Sequence, residues 1–246
     1  MKEVLLIIPA YNEEASIGAL LDQLKETDAA DYADVLVVND ASLDKTNSIA
    51  KQHSVTVVSN VFNLGYGSAL QLGYKYAVRH GYRYVIQIDA DGQHDVSNVR
   101  VLYDRLRTKD ENGQYPDIVI GSRFFENSRS FPISGIKSVA IKLFRWLIRR
   151  TSGHTILDPT SGLQGLSGRA FLYYSLYQNF NFMYPDANMI IQMIMLGFRV
   201  VEIPSVMHAR TGGVSMHSGF FKPLIYMMIM PLSMFSIYSR IKKGLQ

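Results

Sequence analysis

The chain has 246 residues, of which 48% are hydrophobic and 19% charged, a composition typical of a globular protein with a full core. It has no cysteine, which excludes disulfides and thiolate metal sites and permits a cytosolic location. The formal net charge is +4, and seven basic residues against the single acid Glu126 lie between Ser122 and Arg150. This local excess predicts an anionic partner, such as a phosphate, a lipid headgroup or a nucleic acid.

In the first half of the chain, short apolar runs rich in β-branched residues alternate with helical patterns. The runs are Val4–Ile8, Val35–Val38, Val55–Val58, Tyr84–Ile88 and Ile118–Ile120. They predict parallel strands that are buried on both faces. Apolar residues at helical spacing follow the first run, with Asn12 as the expected cap of that helix. The alternation predicts an α/β fold whose doubly wound, mainly parallel sheet has helices on both faces and binds ligands at the carboxyl ends of its strands.

The second half is less regular, and its elements are predicted one by one. We expect a basic helix at Ile136–Arg150, a glycine-rich stretch at Ser161–Gly168, a helix at Pro185–Gly197, a strand at Arg199–Ile203 and a loop at Arg210–Ser215. An apolar tail follows.

Asp89 and Asp91 directly follow the fourth predicted strand, in the sequence Asp-Ala-Asp-Gly-Gln-His. Two carboxylates separated by one residue can share a hard cation, and Mg²⁺ or Mn²⁺ takes such oxygen ligands and bridges to phosphates. A metal placed there would neutralise a departing diphosphate. The alternative is a solvated Asp-Gly turn. The position at the end of a hydrophobic strand favours the metal site.

The ends of the first two strands carry candidate nucleotide contacts. Asp40 lies where a ribose or base would bind, and an ordinary turn residue is the alternative. The segment Pro9–Glu13 can place the ring of Tyr11 beside a base, or it is only a strand stop and helix cap. Gly65-Tyr66-Gly67 lacks the third glycine and the later acid of the dinucleotide fingerprint, which excludes a Rossmann dehydrogenase.

Three later positions can act on phosphates or on an acceptor. Arg123 follows the fifth strand and can bind a phosphate with its forked donors. Asp158, in Asp-Pro-Thr-Ser-Gly, can contact the acceptor or act as a base, or it is part of a structural turn. Arg210 lies in a glycine-containing loop that can fold over a diphosphate.

Seven motifs together resemble glycosyltransferase family 2, in the branch of dolichol-phosphate mannose synthase and bacterial polyprenyl-phosphate glycosyltransferases. They are Pro9–Glu13, Asn39–Thr46, Asn63–Gly65, Asp89–His94, Gly121–Arg123, Asp158–Gly162 and Arg210–Ser215. They occur in the expected order over nearly the whole chain. Two positions depart from the pattern: Asn39 replaces the first of two aspartates, and Met216 stands where many polyprenyl-phosphate enzymes have lysine.

The resemblance implies a GT-A fold, an inverting transfer and a set of site residues. The nucleotide would be held by Pro9, Tyr11, Glu13 and Asp40. The metal would be held by Asp89, Asp91 and Gln93, of which Asp89 and Gln93 also lie against the donor. The expected catalytic residues are Asp91, Asp158, Arg123 and Arg210, the two arginines lying near the phosphates. Residues 1–215 would form the catalytic domain, and residues 216–246 a C-terminal apolar segment.

We therefore expect transfer of a hexose from a UDP- or GDP-sugar to polyprenyl phosphate or a lipid-linked glycan. Such a phosphate is already anionic and needs no strong base, so the metal and the arginines would stabilise the leaving diphosphate. The first alternative is a family 2 enzyme of cell-wall or surface polysaccharide assembly, with a sugar hydroxyl as acceptor and Asp158 as base. A nucleotidyltransferase would want a glycine-rich basic loop after the first strand, which is missing. A non-catalytic nucleotide or lipid binder is a further alternative, but no nucleic-acid partner is expected, because the basic helix lacks a row of stacking aromatics.

The apolar tail and the basic helix both predict contact with a membrane. The tail Pro223–Ser239 has 17 uncharged residues interrupted by Pro231, fewer than the about 20 of a spanning helix. Basic residues and Trp146 share one arc of the helix Ile136–Arg150, an arrangement suited to anionic lipid. We expect an in-plane helix and a peripheral or monotopic enzyme at the cytoplasmic face of the cell membrane. A buried packing helix and a marginal span are the alternatives, and a homo-oligomer is compatible with the sequence.

Overall fold

A computed structural model describes residues 2–130, 135–209 and 221–244. The predicted loop with Arg210, and Met216 after it, lie outside the described residues. The side chains of residues 136–137 and 221–224 are also outside the description.

The described residues form one mixed, mostly parallel sheet of seven strands. These are β1 (Val4–Ala10), β2 (Ala33–Asn39), β3 (Thr56–Ser59), β4 (Tyr84–Gln87), β5 (Ile118–Ser122), β6 (Gln164–Ser167) and β7 (Val200–Pro204). Their order is β3-β2-β1-β4-β6-β5-β7. Only β6 is antiparallel to its neighbours, β4 and β5. The predicted α/β fold with a mainly parallel sheet is confirmed.

Helices cover both faces of this sheet. They are α1 (Ile17–Lys25), α2 (Ala29–Tyr32), α3 (Thr46–Gln52), α4 (Tyr66–His80), α5 (Ser97–Leu106), α6 (Gly135–Ser152), α7 (Gly168–Ser175), α8 (Ala187–Met195) and α9 (Phe221–Lys242). Successive side chains of a strand point to opposite faces. Leu5 and Ile7 of β1 therefore join a core with α4, α6, α7, α8 and α9. Leu6 and Ile8 join a second core with α1 and α5.

Strand β6 lies within the stretch that we predicted only as glycine-rich. Its sequence Gln-Gly-Leu-Ser lacks the β-branched run by which a buried strand is identified. Helix α5 crosses it closely, since a Cβ built on Gly165 would lie 3.0 Å from Cδ1 of Leu106. Glycine in a strand marks such a close approach, so packing rather than strand propensity explains this segment.

The prediction that Asn12 caps the first helix is wrong. Helix α1 begins at Ile17, and Ser16 precedes it. Asn12 has a φ of 54°, and its Oδ1 accepts a hydrogen bond of 2.8 Å from the backbone N–H of Leu43. Its side chain thus ties the loop after β1 to the loop after β2.

The C-terminal helix α9 packs on the domain through one of its faces. Tyr226, Met230, Met234 and Ile237 recur at helical spacing and are buried in the core shared with α6 and α8. Among the described residues, no helix has both the length and the apolar character needed to cross a membrane.

Candidate functional site

The predicted site residues collect at one edge of the sheet. Strands β1, β2, β4, β5 and β7 run in parallel, so their carboxyl ends lie at this edge. Gln164 of the antiparallel β6 pairs with both Gln87 and Ile120. Because β6 runs in the opposite direction, the segment Asp158–Gly162, which precedes it, also reaches this edge. The topology therefore brings together motifs that lie far apart in sequence.

Asp89 is the first carboxylate beyond β4, and two neighbours define its position. The hydroxyl of Tyr66, at the start of α4, donates a hydrogen bond of 2.9 Å to Asp89 Oδ1. Gly162 packs against the same carboxylate, and a Cβ at this position would lie 2.8 Å from Asp89 Oδ2. The Gln87 side chain in turn donates to the Gly162 carbonyl at 2.9 Å. Only a residue without a side chain at 162 leaves this carboxylate its space.

Asp91 and Gln93 lie in a turn that is attached to the chain after β7. The backbone N–H of Gln93 donates to Asp91 Oδ1 at 3.0 Å, and Gly92 between them has a φ of 73°. The Gln93 carbonyl accepts a bond of 2.7 Å from the N–H of His208. His208 also contacts Asp95, with its Nε2 2.7 Å from Asp95 Oδ2. These bonds hold the residues just before Arg210 beside the carboxylate turn.

His94 is a buried residue behind the two carboxylates. The backbone N–H of Asp89 donates to His94 Nδ1 at 3.2 Å, and His94 Nε2 lies 3.8 Å from Asp89 Oδ2. Burial lowers the pKa of His94 to about 4. The ring is therefore neutral at pH 7, and accepting the Asp89 N–H on Nδ1 leaves the proton on Nε2.

Asp40 is buried at the end of β2 and accepts three hydrogen bonds from the loop before α4. Oδ1 accepts from the side chain of Asn60 at 2.7 Å and from the N–H of Leu64 at 3.0 Å, and Oδ2 accepts from the N–H of Gly65 at 2.7 Å. The carboxylate therefore shapes the loop Asn60–Gly65, a structural role that the sequence did not indicate.

The other predicted nucleotide contacts lie around the end of β1. Pro9 is buried and pairs with Val38. Tyr11 is 43% exposed, so its ring is open to a ligand. The carboxylate of Glu13 accepts a bond of 2.9 Å from the Ser16 hydroxyl. Three of the predicted residues thus adjoin the same end of the strand, and they differ in how much surface they offer.

Arg123 and Asp158 form a bidentate ion pair. Nε and Nη2 of Arg123 each donate to the Asp158 carboxylate at 2.7 Å, and the backbone N–H of Arg123 donates at 2.9 Å. Thr160 accepts a further bond of 2.8 Å from Nη2. Burial disfavours the charged guanidinium, but the bonds and charge of Asp158 outweigh it and raise the pKa of Arg123. The fully buried Asp158 is thereby committed to this arginine.

The sequence did not indicate Asp186, a further carboxylate that lies just before α8 and is influenced by Asp89 and Asp158. Burial raises the pKa of Asp186 to about 6, and the charges of Asp89 and Asp158 add to the rise. The Tyr226 hydroxyl donates to Asp186 Oδ2 at 2.8 Å, and this bond and the charge of Arg123 oppose the rise. Asp186 lies in no motif, and the motif next to Tyr66 ends at Gly65, so the proximity of these two residues to Asp89 required the tertiary structure.

The described residues contain no group of three or more His, Cys, Asp or Glu side chains arranged to hold a metal ion. A cation at Asp89 and Asp91 would therefore need other oxygen ligands, such as the diphosphate of a donor. The residues fit such an ion in two respects. Their ligand atoms are oxygens, which hard cations prefer, and Gly162 leaves room beside Asp89 Oδ2.

Residues 5–173 match glycosyl transferase family 2. The chain is 30% identical over 231 residues to an undecaprenyl-phosphate mannosyltransferase of Micrococcus luteus, and the match covers 88% of both proteins. It is 27% identical over 228 residues to a polyprenol monophosphomannose synthase of Mycolicibacterium smegmatis, which covers 89% of this chain and 82% of that protein.

Among solved structures, a similar fold occurs in glucosyl-3-phosphoglycerate synthase of Mycobacterium tuberculosis, in complex with Mn²⁺, UDP-glucose and phosphoglyceric acid. The TM-score is 0.69 at 20% identity, and the match covers 97% of this chain and 80% of that one. At this identity the likeness is one of fold.

Proposed function

Because this chain belongs to glycosyl transferase family 2 and is a glycosyltransferase, we propose that it moves a hexose from a UDP- or GDP-sugar to a polyprenyl phosphate, with inversion. The observation that carries the proposal is the match to two enzymes named for polyprenyl lipids over more than four fifths of each protein. The carboxyl edge of the sheet supports it, because carboxylates and an arginine lie there and open α/β sheets bind their ligands at that edge.

In this proposal Asp89 and Asp91 hold Mg²⁺ or Mn²⁺, and the side chain of Gln93 is a further oxygen ligand. The metal, when bound, neutralises the charge that develops on the departing diphosphate. Tyr66 orients Asp89 through the bond to Oδ1, and neutral His94 fixes the backbone of the same residue. These two contacts keep the carboxylate in one place before the donor arrives.

The nucleotide is proposed to lie along the ends of β1 and β2. The exposed ring of Tyr11 packs on the base, and Pro9 and Glu13 line the same strand end. Asp40 acts here through the loop Asn60–Gly65, whose backbone it holds against the nucleotide. Arg123 and Arg210 are proposed to act on the phosphates, although Arg210 lies outside the described residues. Nη1 of Arg123 makes no hydrogen bond with a described residue, so it has a donor to offer.

The acceptor is proposed to be a phosphate rather than a sugar hydroxyl. A hydroxyl requires a base to remove its proton, whereas a phosphate oxygen is already anionic. Asp158, the base expected for a hydroxyl, accepts three hydrogen bonds from Arg123. Accepting a proton would cost much of this ion pair, so Asp158 supports the position of Arg123 instead.

The test is transfer of label from a panel of nucleotide sugars to polyprenyl phosphate in the presence of Mn²⁺, measured as label in the organic phase. Asp91→Asn should remove most of the transfer, and Asp104→Asn, an exposed carboxyl on α5, should leave it unchanged. Transfer to sugar hydroxyls but to no polyprenyl phosphate would refute the proposed acceptor. Full activity of Asp91→Asn would refute the proposed metal site.

We also propose that α9 lies in the membrane interface, at the cytoplasmic face. The side of α9 opposite its buried face is apolar and exposed, with Leu232 and Phe235 each 68% exposed. Its last turn carries Arg240 and Lys242. On α6, with which α9 is in contact, Trp146 is 60% exposed. An apolar stripe bordered by cations suits an anionic lipid surface.

Sedimentation with vesicles tests this surface. The wild type should bind vesicles of phosphatidylglycerol more than those of phosphatidylcholine, and Leu232→Ser with Phe235→Ser should release it. The matched control is Leu172→Ser on α7, which is 50% exposed and lies outside the stripe. Equal release by the control would show that any exposed leucine serves, and would refute the proposed surface.

A further inference from the structure

Among the described residues, two hydrogen bonds join α9 to the start of α8, and only one of them involves a carboxylate near the proposed metal site. The Tyr226 hydroxyl donates to Asp186 Oδ2 at 2.8 Å. Seven residues further along α9, the Ser233 hydroxyl accepts a bond of 3.0 Å from the Asn188 side chain. The two bonds are similar in length and connect the same two helices, but their surroundings differ.

The ring of Tyr226 is held from two sides. It packs edge to face against Phe144 of α6, with centroids 5.6 Å apart and an interplanar angle of 81°. It makes a similar contact with Tyr184, just before α8, at 5.1 Å and 73°. Pairs of aromatic rings prefer this edge-to-face arrangement. Because the ring is buried and clamped, its hydroxyl can point only in a narrow range of directions.

Asp186 is close to the groups proposed to act on the donor. The charges of Asp89, Asp158 and Arg123 all act on its carboxyl group. Asp158 is occupied by Arg123, and Asp89 belongs to the proposed metal site. Among the described residues, the hydroxyl of Tyr226 alone donates a hydrogen bond to the Asp186 side chain. The other carboxylate oxygen of Asp186, Oδ1, can thus accept a hydrogen bond from a ligand.

We propose that Tyr226 is a positioning residue, whose hydroxyl holds Asp186 so that this carboxylate accepts hydrogen bonds from hydroxyls of the transferred hexose. The inference rests on the proposed transfer of a hexose. Sugar hydroxyls are donors, and an ionised carboxylate is the strong acceptor that pairs with them. Helix α9 would then contribute to the active site through one side chain, in addition to any contact with lipid.

A double-mutant cycle on kcat and KM tests the inference. Asp186→Asn should lower transfer strongly, and Tyr226→Phe should lower kcat roughly ten-fold, the effect of one hydrogen bond to a charged group. In the Asp186→Asn background, Tyr226→Phe should have little further effect, because the two residues act as a unit. Ser233→Ala, which removes the other bond between α8 and α9, should leave kcat unchanged.

Three outcomes would overturn the proposal: independent effects of Tyr226→Phe and Asp186→Asn, an equal loss in Ser233→Ala, or full activity of Asp186→Asn. The first two would mean that Tyr226 only stabilises helix packing. The third would mean that Asp186 does not contact the sugar.

A spectroscopic readout separates this inference from the proposed function. The carboxyl carbon of Asp186 can be titrated by NMR in protein labelled with ¹³C-aspartate, with Asp186→Asn giving the assignment. The charged groups acting on it are Asp89, Asp158 and Arg123, and the Tyr226 bond favours the ionised form. Tyr226→Phe should therefore raise the pKa of Asp186, and Ser233→Ala should not. If Tyr226→Phe leaves the pKa of Asp186 unchanged, the positioning role of Tyr226 is refuted even where transfer is confirmed. If the wild type shows no transfer, the proposed function is refuted, and the pKa of Asp186 still tests its contact with Tyr226.

Discussion

Two segments near the proposed metal site each supply one carboxylate, and the two carboxylates have different hydrogen-bond partners. In the segment Asp158–Gly162, Asp158 is fully buried and paired with Arg123. In the segment Tyr184–Asn188, Asp186 has a tyrosine hydroxyl as its partner and a pKa raised to about 6. The carboxylate of Asp158 is held by a cation, whereas that of Asp186 is half-buried and is acted on by the charges of Asp89, Asp158 and Arg123.

The difference shows that a carboxylate in a recognisable motif can be committed to a protein partner, whereas one outside any motif can have the perturbed pKa. Asp158 lies in a motif and was the candidate base for a hydroxyl acceptor, but its hydrogen bonds commit it to Arg123. Asp186 lies in no motif, and its perturbed pKa marks it as a candidate for function. Substitutions at Asp158, His94, Asp186 and Asp40 test how far this contrast holds.

The largest effect is expected when the buried ion pair is broken. Asp158→Asn leaves the Arg123 guanidinium buried without its anion, which should cost about 3–5 kcal/mol of unfolding free energy. Urea unfolding at pH 7 measures it. A loss below ~1 kcal/mol would mean that water or another group replaces the carboxylate, and the contrast with Asp186 would fail.

A smaller effect is expected from His94 in acid. Burial lowers its pKa from 6.5 to about 4 in the folded state, so the unfolded chain takes up the proton first as the pH falls. Stability from this residue is present above pH 6.5 and is lost towards pH 4, by up to about 3 kcal/mol. His94→Asn, whose Oδ1 can still accept the Asp89 N–H, should remove this part of the pH dependence. Parallel unfolding curves of the two proteins over this range would contradict it.

Asp186 should show the opposite pH dependence. Its pKa is raised from 3.8 to about 6 in the folded state. The ionised carboxylate therefore destabilises the folded protein above pH 6, and this destabilisation disappears below pH 4, where the group is protonated in both states. Asp186→Asn should therefore be more stable than the wild type by about 1–2 kcal/mol at pH 7.5 and equal to it at pH 3.5. Urea unfolding at both pH values measures the difference. A difference in unfolding free energy that is the same at both pH values would show that burial and neighbouring charges do not raise the pKa of Asp186.

An effect as small as that at Asp186 is expected at Asp40, which resembles Asp158 in accepting several hydrogen bonds from protein donors. Asp40→Asn turns an N–H₂ group towards one of those donors, and should cost about 1–2 kcal/mol. The loosened loop Asn60–Gly65 should also raise KM for the nucleotide sugar more than it lowers kcat. Asp31→Asn, an exposed change on α2, is the control. An unchanged KM would separate this loop from the nucleotide site.

Much of the fold could be predicted from sequence because its central strands, such as β1 and β5, are buried on both faces. Such strands require continuous runs of apolar, β-branched residues, as in β1 and β2, and these runs are visible without any tertiary contact. The placement of Asp40, Asp89 and Arg123 at one edge followed from the same runs, because parallel strands share their carboxyl edge.

Other features were decided only by tertiary structure. Strand β6 is defined by its two partners and by the close approach of α5 to Gly165, neither of which leaves a local pattern. Asp186 and Tyr226 are 40 residues apart, and their contact depends on how α8, α9 and α6 pack. The same holds for the pKa of Asp186 and His94, since burial and neighbouring charges set a pKa and sequence position does not. The sequence by itself thus placed Asp40, Asp89 and Arg123 at one edge of the sheet, because parallel strands share their carboxyl edge. The packing of helices and strands decided that Asp186 joins them, and which of these groups are paired, which are neutral and which can meet a ligand.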